Sequence, residues 1–129
     1  MTGYSDPMPT EPEPVTLSQL VHRAGQVVDP EGADADVIDF VVRFEDADEP
    51  VTGIEDVEQR IAEAAGALDP QQESGALQVT AAVATYLAFR RDEVDGDPDE
   101  IVRLAVRAEF DAHPPGPVAD WLALNGVET

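Results

Sequence analysis

The chain has 129 residues, enough for one domain with a modest core. Twenty-eight Asp and Glu stand against seven basic residues, all arginine, giving a net charge of −21, and there is no cysteine. Phosphate affinity comes from clustered Lys and Arg, so direct nucleic-acid or anionic-membrane binding is disfavoured; disulfides, thiolate chemistry and Cys-based zinc sites are excluded.

Residues 1–15 hold Pro7, Pro9, Pro12 and Pro14 with acids between them. Prolines this dense prevent a helix, and little apolar surface is present to dock, so a disordered or extended tail is expected. The Pro9–Pro12 PxxP pattern reads as a spacer. The same stretch lacks a basic n-region and an apolar h-region, so no secretory signal is expected.

The remaining residues, 16–129, read as a single helical domain. Thr16 and Gln19 form a capping box for a first helix, with Val15 placed to staple on Leu20. Leu17, Leu20, Val21, Ala24 and Val28 make its stripe. Asp29-Pro30 ends it, and Pro30-Glu31-Gly32 forms a turn. The second element, about Ala35 to Glu45, presents Val37, Phe40, Val41 and Phe44 on one face, widened by Ile38 and Val42. It is rich enough in β-branched and aromatic residues for a strand, but no pairing partner is evident, so helix is expected.

Thr52 and Glu55 suggest a capping box for a third helix, seamed by Ile54, Val57, Ile61, Ala64 and Leu68, with Asp56 and Arg60 spaced to pair. A fourth helix is expected to start at Asp69-Pro70, with Asp69 as N-cap and Gln72 closing the box. It leads into residues 74–89, sixteen positions without a formal charge. That run is too short for a usual membrane span and is apolar nearly all round, which marks the central buried helix.

Arg90 and Arg91 follow, suited to the helix dipole or to an anionic or partner site. Residues 92–100 are dense in acid. With Gly96 as the turn glycine of an EF-hand loop, Arg91 and Val102 fall where carboxylates are required, so that pattern fails. A fifth helix is expected from about Pro98 to Ala112, with Ile101, Leu104, Ala105 and Ala108 inward and Asp99–Arg103 and Arg107–Asp111 paired. Pro114-Pro115 ends it. A short last helix, about Val118 to Leu124, carries Trp121 and Leu122 and stops at Asn125-Gly126. No internal repeat is evident.

The expected fold is therefore all-α: a small antiparallel bundle of about five helices plus a short C-terminal one, behind a disordered tail. Chemistry is sparse. His22 and His113 belong to no catalytic or metal motif, and the glycines form no nucleotide loop. No catalytic residue, cofactor or specific metal site is expected. A helix-turn-helix DNA reader built from the third and fourth helices fails, because the fourth presents alanine and valine where Arg, Asn or Gln should be. The candidate partner interface is Trp121, Leu122, Arg90 and Arg91, with Trp121 either a lid over the core or an exposed anchor on a flap behind the proline pair.

An acidic surface without lysine and with small apolar residues resembles, in composition alone, the proteins of extreme halophiles. The expectation is a non-catalytic interaction or scaffold domain in a salt-adapted cytoplasm, with a protein partner or a second copy. The alternatives are an acidic nucleic-acid mimic that binds a basic protein, and an enzyme whose carboxylates or His22 converge in a cleft.

Overall fold

The computed structural model describes residues 16–50, 55–89, 98–111 and 113–127. Six helices lie among them: α1 (Leu17–Val28), α2 (Ala35–Arg43), α3 (Val57–Leu68), α4 (Gly75–Phe89), α5 (Pro98–Phe110) and α6 (Gly116–Leu124). No strand is present among the described residues, only an isolated bridge between Thr16 and Pro50. Residues 35–43 are helical, as period and length indicate. None of these helices is long and apolar enough to cross a membrane.

The bundle is organised on α4, which packs against each of the other five helices. Such a position demands apolar side chains all round. Val79, Val83, Ala84, Leu77 and Leu87 are buried accordingly. Thr80 is fully buried too, and its hydroxyl donates to the Ala76 carbonyl at 2.8 Å, so no polar atom is left unpaired there. Alanines on α4 let its neighbours come close. The bulky anchors come from α2, where Phe40 and Phe44 meet edge to face at 5.3 Å between ring centroids.

Thr16 caps α1 as its sequence indicates: its hydroxyl accepts from the Gln19 amide, and Gln19 Oε1 accepts from the Thr16 amide. The segment after α2 completes the cap. Leu17 and Ser18 amides donate to the Glu49 and Ala47 carbonyls, so donors that a helix start leaves unpaired are satisfied by a distant loop.

Several boundaries differ from the sequence expectation. Helix α3 begins at Val57, after a turn at Glu55 and Asp56, and Asp56 makes no side-chain cap; Thr52 and Ile54 lie outside the described residues. Arg60 pairs with Glu49 at 3.1 Å rather than with Asp56. Asp69 is the C-cap of α3, and α4 starts only at Gly75, capped by Ser74. Helix α5 stops at Phe110 because Asp111 turns into the left-handed region (φ 55°), before the proline pair is reached. Its Arg103 meets Glu100 at 3.7 Å, not Asp99, while Leu104 is half-buried and Ala108 exposed. Val15, Arg90, Arg91 and the acids Asp92, Asp95 and Asp97 lie outside the described residues.

Candidate functional site

Two turns carry the key to the site. After α1, the Asp29 carboxylate accepts from the Ala33 amide at 3.1 Å and the Asp34 amide at 2.8 Å, while the Asp29 carbonyl accepts from Gly32. After α3, the Asp69 carboxylate accepts from the Glu73 amide at 3.0 Å and the Ser74 amide at 2.8 Å, and its carbonyl accepts from Gln72. The next helix is then capped by Asp34 in one case and Ser74 in the other. Even the left-handed residue recurs, Gly32 at φ 65° and Gln72 at φ 56°.

The α3–α4 hairpin thus repeats the α1–α2 hairpin at a constant offset, 17 matching 57 and 28 matching 68. This corrects the expectation of no internal repeat. From α1 to the end of α2 only Gln19, Ala24, Asp29 and Pro30 keep their identity, at Gln59, Ala64, Asp69 and Pro70. Val41 packs so closely on Gly25 that a Cβ there would lie 2.7 Å from its Cγ2; the matching positions in the second hairpin hold two alanines, Ala65 and Ala81.

Each hairpin opens a cleft of about 270 Å³ along its two helices. The first is lined by His22, Gly25, Gln26, Val37, Ile38, Val41 and Val42, beside the Asp29 turn. The second is lined by the matching positions, Ala62, Ala65, Gly66, Leu77, Gln78, Ala81 and Ala82, beside the Asp69 turn. The difference lies in what covers them. The end of α5 adds Glu109 and Phe110 to the second cleft, and α5 packs along α4. Helix α2 is packed by α1, α3 and α4, and its outer face is open among the described residues. Hence Val42 is 54% exposed and Ile38 43%, while Ala82, the match of Val42, is 4% exposed.

The second cleft also gathers charge. Glu58 of α3 and Glu109 of α5 both line it. Glu109 is exposed overall, yet partial burial of its carboxyl raises it from its ordinary value, and the Glu58 charge adds to the rise. In the first groove the carboxylates stand at the ends. Glu31 lies by the turn, and Glu45 lies at the other end of a neighbouring hollow that shares His22 and Val41. Among the described residues no group of three or more His, Asp or Glu is arranged to hold a metal ion.

The residues singled out from the sequence are placed differently. Leu122 is 5% exposed and belongs to the core, so it is not available to a partner. Trp121 is half-buried against that core, and α6 is no separate flap: it packs on α4 so closely that a Cβ on Gly75 would strike the Pro117 carbonyl and Trp121 Cβ. Arg90 and Arg91 lie outside the described residues. His113 is exposed, and His22 is exposed on the α1 side of the first groove. The open face of Ile38 and Val42 is visible in the sequence only as an apolar stripe wider than a nine-residue helix needs. No family model, no curated protein and no solved structure matches this chain.

Proposed function

We propose that the chain is a non-catalytic interaction domain of a salt-adapted cytoplasm, and that it holds a protein partner in the α1–α2 groove. One observation carries this reading. The two hairpins present the same groove; α5 packs along α4 beside one and buries Ala82, whereas no described helix lies on the outer face of α2, which leaves Ile38 and Val42 exposed with Val41 along the groove. An apolar strip rimmed by polar residues is the usual form of an interaction surface.

The salt-adapted part of the reading rests on the −21 charge, in which seven arginines face twenty-eight carboxylates. The ion pairs Arg60–Glu49 and Arg103–Glu100 are both solvent-exposed and contribute little. Screening therefore does the work that pairing does not. At ~0.1 M salt the Debye length is ~10 Å and the carboxylates repel across the surface; at ~1 M it is ~3 Å. Circular dichroism and Trp121 fluorescence from low salt to molar KCl should show a large gain in stability. Full stability at low salt, with no later gain, would remove this part of the reading. The interaction part is tested by retention of a partner from native lysate on the parent chain and its loss on the Ile38→Ser/Val42→Ser variant.

A second reading has one observation behind it. Glu58 and Glu109 both line the α3–α4–α5 cleft, and a second carboxylate beside a raised Glu109 carboxyl is a pairing that acid–base catalysis can use. In a strain lacking the protein, rescue by Ile38→Ser/Val42→Ser but not by Glu109→Gln would move the functional site to that cleft.

A further inference from the structure

We propose that the occupant of the α1–α2 groove is a basic amphipathic helix of a partner protein, its apolar side laid on Ile38, Val41 and Val42 and its Arg or Lys residues meeting Glu31 and Glu45. This rests on the interaction reading above and names the partner's chemistry.

The secondary structure of the occupant follows from the other hairpin. There an amphipathic helix, α5, packs along the outer side of α4 and brings Glu109 and Phe110 to the edge of the equivalent groove. The α2 side of the open groove is bulkier and more apolar than its counterpart: Ile38, Val41 and Val42 stand where α4 has Gln78, Ala81 and Ala82. An apolar helix face suits these side chains in the way helix-in-groove recognition works, with anchors at i, i+3 or i+4. Helix α2 has nine residues, so a partner helix of about three turns, roughly 16 Å, spans the groove.

The charge of the occupant follows from the ends of the groove. Glu31 is exposed at the turn end of the groove and Glu45 is exposed beyond the other end, in the hollow that shares His22 and Val41, in a molecule with a net charge of −21. A partner helix with acidic flanks would meet like charge at both ends; one with basic flanks meets opposite charge at both. A second copy of this chain brings the same −21 and is repelled wherever salt does not screen it.

The test is nuclear magnetic resonance on the full chain, in the lowest KCl at which circular dichroism shows it folded. Three synthetic helical peptides share one Leu/Phe face and carry Arg, Gln or Glu on the flanks. The Arg peptide is expected to shift the amides of His22, Gly25, Ile38, Val41 and Val42. It should bind about tenfold tighter than the Gln peptide, as two or three exposed ion pairs allow, and the gap should narrow as KCl rises. The Glu peptide should bind weakest. Ile38→Ser/Val42→Ser should keep the helical spectrum of the parent and lose the groove shifts. Equal binding of the Arg and Gln peptides at this groove would overturn the charge assignment while leaving the interaction reading in place. Shifts that follow protein concentration alone would make a second copy the occupant and overturn the proposal. Shifts scattered over the acidic surface away from the groove would overturn it too. Silence of these amides toward all three peptides and toward the chain itself would overturn the interaction reading as well.

Discussion

Val42 and Ala82 occupy matching positions, one on α2 and the other on α4, after turns with the same hydrogen bonds. Val42 stands more than half exposed, while Ala82 is buried. The two turns are bonded alike, so turn geometry does not set this difference. Tertiary packing sets it: α5 and α6 both lie on α4, and neither gives α2 a comparable cover. Helix α4 has become alanine-rich and apolar on every side, whereas α2 keeps an inner face of Val37, Phe40 and Phe44 and an outer face of Ile38 and Val42. The repeated hairpin thus supplies both the centre of the core and a surface open among the described residues.

The largest expected effect lies at the centre of α4. Ala84 is fully enclosed, and Ala84→Asp buries a charge with no partner, so loss of cooperative folding is expected, at a cost above about 4 kcal/mol, read by circular dichroism. Ala81 is only half-buried on the cleft and is the weaker place for such a test. Next come the two turns. Asp29→Ala and Asp69→Ala each remove two backbone-to-carboxylate hydrogen bonds, and each should lower stability by about 1–2 kcal/mol in urea unfolding. Similar losses would sharpen the equivalence of the hairpins; a loss at one turn alone would break it.

A smaller effect of opposite sign is expected at Gln72. It holds the left-handed conformation that Gly32 holds in the first hairpin, so Gln72→Gly relieves strain and should raise stability by about 0.5–1 kcal/mol in the same assay. The Gln78 side chain donates to the Gln72 carbonyl at 2.9 Å, a bond the substitution leaves intact. The smallest effect is electrostatic. The Glu109 carboxyl is raised by burial and by Glu58, so the folded chain holds this proton more tightly than the unfolded one. Its charged form therefore opposes folding, and stability falls as pH rises from the ordinary carboxylate range through the raised value. Glu109→Gln should be the more stable protein at neutral pH, and the difference should vanish in acid; thermal unfolding across pH reads it.

Much of the fold was legible because its causes are local. Thr16 and Gln19 announce the start of α1, the charge-free run announces α4, and Asn125-Gly126 ends α6, with Gly126 at φ 69°. The repeat was not legible, because its rule is a pattern of backbone bonds to Asp29 and Asp69 that tolerates almost any sequence around it. Asp69 followed by Pro70 was for the same reason open to misreading as a helix start, when its carboxylate spans the turn to Ser74. The candidate site was the least legible part. Whether Ile38 and Val42 face solvent or core depends on where α5 lies, and α5 comes much later in the chain. Glu58 and Glu109 likewise meet only through the packing of α3, α4 and α5. Leu122 was misplaced on the surface because a short helix behind two prolines gives no local sign of how closely Gly75 lets it approach.

The most direct test is one pair of matched substitutions, Val42→Asp and Ala82→Asp, compared by thermal unfolding in the same buffer. The first places a carboxylate on an open face and should shift stability by no more than about 0.5 kcal/mol; the second places one beneath packed helices and should cost several. Equal effects, whether both tolerated or both disruptive, would contradict the claim that the outer face of α4 is covered and that of α2 is open among the described residues.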